Sequence, residues 1–361
     1  VFYEENSCVR AEIIIHSFVL TRILNLIVPI LNPELIVQIF SHLCSYFLNM
    51  KNLLKSTVFL SILATWLWST AFVGVKTGLE YHTPLQFAGI RFFISGVLIF
   101  FVFGKFKRFF AEICSNLKLV LWVSVIQIFI QYALFYSGLN LVPGALGAMI
   151  IGSSPLFVAI VAHFAFHNDK MTLLKTLSIL IGVAGIAIIT IGRANVEIRG
   201  ELELLGIGLL LVNNMVAGYA NVLVSKSPKE ISPFVLSSST LMLGGLMLFL
   251  VSIPFEGINF GPFPAKYYAA LSWLSFLSAA AISIWFVLLK RPAVKVSALN
   301  VWKFLIPVSG AILSWIILED EHPDLTSVVG MLVIAVSLLA LGLANRRELR
   351  KKSRQFLQKP A

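Results

Sequence analysis

SSPLFVAIVAHFAFHND at 153–169 and FLIPVSGAILSWIILEDE at 304–321 are the stretches whose reading decides the fold. In each, a proline is followed fourteen residues later by an acid: Pro155 by Asp169, and Pro307 by Glu321. Laid on their prolines, Asn140 to Pro155 runs against Pro292 to Pro307 without a gap, and Gln131, Tyr132 and Tyr136 fall against Ser283, Ile284 and Leu288. Behind each acid stands an N-cap candidate, Thr172 or Asp324, that opens another apolar run. The chain therefore carries two copies of one unit. Many membrane transporters are built this way and hold their substrate between the copies.

The composition fixes the solvent. Apolar residues make up 58% of the chain and charged residues 12%, and the mean hydropathy is +0.91. Those values belong to a polytopic membrane protein. A span needs roughly 20 apolar residues to cross the hydrocarbon. Ten stretches qualify, at 57–75, 84–103, 119–137, 145–166, 172–191, 205–224, 231–253, 268–289, 296–318 and 325–343. The expected fold is all-α and integral to the membrane, with ten transmembrane helices. Five spans per copy is an odd number, so the copies enter the membrane in opposite senses, as two inverted-topology five-helix repeats.

The net charge of +11 would suit a nucleic-acid partner if the cations formed one surface. They follow topology instead. With both ends of the ten-helix unit cytoplasmic, Lys51 and Lys55, the short inner loops and the tail from Arg346 to Lys359 collect twenty cations; the outer loops hold Lys76, Arg193, Arg199 and Lys266. The partners expected are a small-molecule substrate and the lipid bilayer, with no nucleic acid; a homodimer is left open. Three cysteines without close spacing rule out a disulfide framework. The chain calls for no cofactor, has no metal-ligand cluster of Cys and His, and carries neither a Gly-rich phosphate loop beside a strand nor a GxSxG.

Four segments follow. Residues 1–49 have their own apolar run, interrupted by His16 and Arg22, and Met50 with Lys51 and Lys55 reads as a start; this extension is expected to lie outside the functional unit. Residues 50–192 and 193–345 are the two five-helix repeats, and 346–361 form a basic cytoplasmic tail.

LWSTAFVGVK in the first span and PLQFAGIRFFISG in the second, taken with the two proline-acid strings and the helices MTLLKTLSILIGVAGIAI and VVGMLVIAV behind them, resemble the EamA-type branch of the drug/metabolite transporter superfamily. The resemblance covers about Lys51 to Asn345. The sequence departs from the family pattern in three places: Asp169 stands where Glu is usual, and Ser178 and Ser337 replace expected glycines. The resemblance implies a secondary transporter, not an enzyme, exporting small metabolites across a bacterial inner (plasma) membrane.

Ionisable groups at membrane depth are costly, about 2.5 to 3.5 kcal/mol on insertion scales, so each asks for a role. Arg91 and Lys303 are the two intramembrane cations, and no Asp or Glu lies in the middle of any span. A substrate anion would supply their counter-charge, which favours an anionic or zwitterionic cargo such as an amino acid. Backbone bonding by Arg91 and snorkelling by Lys303 are the competing roles. Polar side chains gather at Trp68, Ser69 and Thr70, at Gln127, Gln131 and Tyr132, at Asn213, Asn214, Tyr219 and Asn221, and at Trp285 and Asn300. The substrate-binding candidates are Trp68, Ser69, Thr70, Arg91, Gln127, Gln131, Asn213, Asn214, Asn300 and Lys303; interhelical hydrogen bonding is the alternative for each. Pro155 and Pro307, read as lying inside helices, are the hinge candidates for alternating access. Two other classes are weaker. A membrane enzyme needs clustered Asp, Glu or His at one face, and a receptor or scaffold has no need of paired prolines in an internal repeat.

Overall fold

The computed structural model describes residues 56–166, 170–194, 201–259, 261–292 and 294–357. The extension at 1–49, His167, Asp169 and the end of the tail lie outside the described residues. Among those described, every regular element is helical. In order they are α1 (Thr57–Leu79), α2 (Pro84–Phe103), α3 (Phe106–Ser115), α4 (Leu117–Leu141), α5 (Gly144–Ala165), α6 (Leu173–Ala194), α7 (Glu201–Ser225), α8 (Pro233–Glu256), α9 (Ala265–Leu289), α10 (Val296–Ile317) and α11 (Leu325–Leu357).

Nine of these are long and apolar enough to cross a membrane. The expected span at 172–191 falls on α6, whose described apolar stretch, Leu173–Ile189, is shorter than these nine and is not counted among them. Helix boundaries follow local chemistry. Pro84 and Pro233 open α2 and α8, where a missing N–H costs nothing. Gly104 closes α2 in the left-handed region at φ 67°, returning its N–H to the Phe100 carbonyl. α8 carries Pro254 within its last turn and ends at Glu256.

Close packing depends on missing side chains. A Cβ on Gly89 of α2 would stand 2.6 Å from the Phe249 nitrogen of α8, and one on Gly245 of α8 would stand 2.6 Å from the Phe93 nitrogen of α2. The two backbones can approach only because both positions are glycine. Gly138 with Gly206 joins α4 to α7 in the same manner, and Gly185 with Gly330 joins α6 to α11. The principal pairings are α2 with α8, α5 with α10, α6 with α11, α1 with α9, α4 with α7, α1 with α10 and α5 with α7.

The spans at 145–166 and 296–318 are not continuous helices. α5 breaks between Gly144–Gly152 and Ser154–Ala165, with Pro155 in the first turn of the second piece. α10 starts as Val296–Asn300, tightens into a 3-10 turn at Val301–Phe304 and resumes at Leu305–Ile317, with Pro307 in its first turn. This corrects the reading of both prolines as lying inside helices. Each restarts a helix after a break, where its lost N–H has no bond to make. The breaks meet, and a Cβ on Gly152 would lie 2.1 Å from the Pro307 ring.

Cys114 lies in the short helix α3. The α3 face of Phe106, Phe109, Phe110 and Ile113 opposes Lys107 and Arg108, which is the pattern of an interfacial helix.

Candidate functional site

The ends of the bundle differ in charge. At one, the loops between α1 and α2, α8 and α9, and α10 and α11 carry Glu80, Glu256 and Glu319 to Asp324; at the other, the connections hold Lys105, Lys107, Arg108, Lys226, Lys290 and Arg291. Acids cap helix N-termini. Both Glu256 oxygens accept the Leu85 N–H (2.9 and 3.1 Å), and one also accepts that of Gln86 at 3.0 Å. Glu321 accepts from Gly144 and, at 2.8 Å, from Ala145. At the basic end Glu112 accepts the Ser232 N–H at 2.7 Å, while Lys226 donates to the Ala165 carbonyl at the close of α5. Each contact sets a charge against a helix end of opposite partial charge. Lys290, bonded to the Pro228 and Ile231 carbonyls, is held below its usual basicity by burial.

Aromatic rings seal the acidic end. His82 stacks on Tyr267 with centroids 5.8 Å apart, Phe263 lies 4.2 Å from Tyr267, and Phe87 touches Tyr267 and Tyr136. The His82 ring also bonds the Asn259 carbonyl at 3.0 Å. Burial pushes its pKa below 6.5, against the upward pull of the Thr83 and Asn259 carbonyls and of Glu256.

Below this seal lies a cavity walled by α1, α2, α4, α5, α7, α9 and α10. Trp68, Arg91, Gln127, Gln131, Asn213 and Lys303 all line it. The Lys303 ammonium faces two indoles, 5.3 Å from Trp68 and 5.0 Å from Trp285, which pack edge-on against each other. Arg91 lies over Phe92 at 4.3 Å and Tyr136 at 5.1 Å. Its Nε and Nη1 are buried without a hydrogen-bond partner, as are Gln127 Oε1 and Asn213 Oδ1. Among the described residues, no Asp or Glu lines the cavity.

The structure places the other four candidates away from the cavity wall. Ser69 donates to the Thr65 carbonyl and accepts from Ser309 at 2.7 Å. Thr70 sits at the periphery with its hydroxyl against Trp273. Asn214 donates to the Ile150 carbonyl at 2.8 Å, beside the break in α5, and Asn300 pairs with Asn221. Asn214 and Asn300 satisfy carbonyls of the two broken helices, as membrane burial requires, whereas Ser69 and Thr70 bond back to carbonyls of their own helix α1. Tyr219 is half exposed on the outer surface of α7.

The substrate-binding candidates omit Asn221, Trp285 and Tyr132, which the structure places on the cavity wall. Asn221 accepts from Trp285 Nε1 at 3.2 Å and donates to Asn300, which in turn donates to the Val296 carbonyl. This chain of amides fixes the indole that faces Lys303. Phe72, Phe135 and Ile306 complete apolar parts of the wall, and a single apolar residue among many carries no signal in the sequence. Ser124–Ile130 of α4 winds as a π-turn, with Gln127 in it and Gln131 just beyond. Such turns are frequent at functional sites.

A model of the EamA-like transporter family matches residues 55–191 and again 204–343. The chain belongs to that family. It is 25% identical over 278 residues to the uncharacterized transporter YoaV of Bacillus subtilis, covering 77% of this chain and 93% of the relative. A second uncharacterized transporter of that organism, YvbV, is 25% identical over 293 residues, 80% of this chain and 92% of the relative. A WAT1-related chloroplastic protein of Arabidopsis thaliana is 27% identical over 289 residues, 77% of this chain and 66% of that one. A solved crystal structure superposes with a TM-score of 0.58 at 17% identity, covering 81% of this chain and 99% of the other, which shows the fold alone. This is a multi-pass membrane protein of a transporter family.

Proposed function

We propose that this EamA-family protein is a secondary transporter that moves small anionic or zwitterionic metabolites by alternating access, and that it works as an exporter. The observation that carries the reading is a central cavity with two buried cations and, among the described residues, no carboxylate, set against two broken helices. Transporter sites are commonly made by discontinuous helices at the repeat interface.

The repeats are the five-helix halves 50–192 and 193–345, in opposite orientations. The two family matches and the pairings support this: if α1 corresponds to α7, α2 to α8, α4 to α9, α5 to α10 and α6 to α11, every principal pairing maps onto itself or another. The breaks at Pro155 and Pro307 are the pivots. The basic end and the tail face the cytoplasm of the plasma membrane, following the charge asymmetry, so the aromatic seal closes the outside. Export rests on the family resemblance.

A reporter cysteine tests alternating access. With Cys8, Cys44 and Cys114 replaced by Ser, Ala217→Cys on the cavity wall is treated with a membrane-impermeant maleimide in sealed vesicles of either orientation. Exposure from each side in turn, with cargo or inhibitor shifting the two rates in opposite directions, fits the proposal. Labelling from one face only, under every condition, would sink it.

A further inference from the structure

The charges of the cavity carry a narrower statement about cargo, one that rests on the cavity being the substrate site. Arg91 is 2% exposed and Lys303 8%. They occupy separate aromatic boxes. Arg91 lies against Phe92, Tyr132 and Tyr136, and Lys303 against Trp68 and Trp285, with no ring in common. Ring faces attract a cation but carry no net charge, so they do not neutralise it. Among the described residues neither cation joins an ion pair, and no carboxylate lines the cavity. Two of the guanidinium nitrogens of Arg91, Nε and Nη1, have no acceptor.

We propose that the cargo is a small organic dianion, a dicarboxylate or a phosphorylated carboxylic acid, with one anionic group at Arg91 and the other at Lys303. The charge count decides among cargo classes. The walls contribute two positive charges; a dianion brings the loaded cavity to zero, a monoanion leaves one uncompensated, and a neutral-side-chain amino acid leaves two while bringing in a third cationic group. Burying an unpaired charge is the costly step in low dielectric, so the dianion gains most from this cavity. Gln127 Oε1 and Asn213 Oδ1, both without donors, are placed to accept neutral hydroxyl hydrogens from the same molecule. The amino-acid expectation drawn from the sequence thus narrows to acids without a free ammonium.

Thermal-shift titration of the purified full chain at constant ionic strength tests this, with four-carbon probes of matched size: succinate, butyrate and 2-aminobutyrate. Phosphoglycolate serves as the phosphorylated dianion. The expected result is saturable stabilisation by a dianion, with an apparent Kd at least tenfold below those of butyrate and 2-aminobutyrate. In Arg91→Gln or Lys303→Gln that preference over butyrate falls below about threefold, while Arg91→Lys and Lys303→Arg, which keep the charge, retain most of it. Tighter binding of 2-aminobutyrate or butyrate to the wild type overturns the dianion assignment; if the Gln variants weaken that binding, the site reading survives. Probe binding that is indifferent to all four variants overturns both. Failure of dianions from three to six carbons to stabilise the folded wild type also overturns the assignment.

Discussion

Glu321→Gln asks whether the acidic end is latched shut by a side chain of one half gripping a helix of the other. The carboxylate holds the first two N–H groups of α5, from Gly144 and Ala145. A net hydrogen bond to a charged group is worth about 1.5–3 kcal/mol, and a negative charge at a helix N-terminus adds about 0.3–1 kcal/mol. Glutamine keeps one acceptor oxygen and loses the charge, so the change removes about 1.5–3 kcal/mol, nearer the lower figure because Glu321 is only partly buried. If the contact exists only while this end is closed, the closed state loses that free energy relative to the open one. Each 1.4 kcal/mol is a factor of ten, so the open population rises at least about tenfold. The assay is the alkylation rate of Ile151→Cys on the cavity wall, in the Cys8, Cys44 and Cys114 to Ser background, with impermeant maleimide on the acidic-end side of sealed proteoliposomes. A rate equal to that of the parent, in a variant with unchanged helicity and thermal midpoint, would refute the latch.

Gly89→Ala and Gly245→Ala each drive a methyl into facing backbone at 2.6 Å and should cost about 1–3 kcal/mol, whereas Gly208→Ala, with open space around its Cβ, should be neutral or slightly stabilising by thermal denaturation in detergent. His82 has its folded pKa held below the ordinary 6.5, so the unfolded chain binds the extra proton first on acidification. Its contribution is complete above pH 6.5 and is lost as pH falls through the depressed value. The drop in thermal midpoint between pH 7.5 and pH 5 should therefore be larger in wild type than in His82→Gln. Asn221→Ala strands the Trp285 N–H and one side of Asn300, at about 1–3 kcal/mol; a loss of near-ultraviolet circular dichroism from the Trp68–Trp285 pair should accompany it, and an unchanged spectrum would remove the proposed role of the amide chain.

The all-helical, membrane-spanning class was legible because membrane burial writes itself into composition, and the family was legible because its proline and acid strings stand in the sequence twice. The cations Arg91 and Lys303 were also readable, since a charge at membrane depth stands out against apolar neighbours. The four polar candidates off the wall show the limit of that logic. Ser69, Thr70, Asn214 and Asn300 share residue types with the wall residues, and only the direction of each side chain separates a cavity group from one bonded to backbone. Pro155 and Pro307 were found, but a sequence does not distinguish a kink inside a helix from the restart of a broken one. The role of Glu321 was equally hidden, because its partners lie 177 and 176 residues away in the chain. α3 went unread because its ten residues sit between two stronger apolar signals.

The most direct measurement is untargeted metabolite profiling of the medium from cells expressing Met50 to Ala361, wild type beside Arg91→Gln and an empty vector at matched membrane levels. The transporter account predicts that a small set of acidic metabolites accumulates outside with the wild type and falls back to the vector level with Arg91→Gln. Three indistinguishable media would contradict export, and accumulation that ignores the Arg91 change would contradict the cavity as its site.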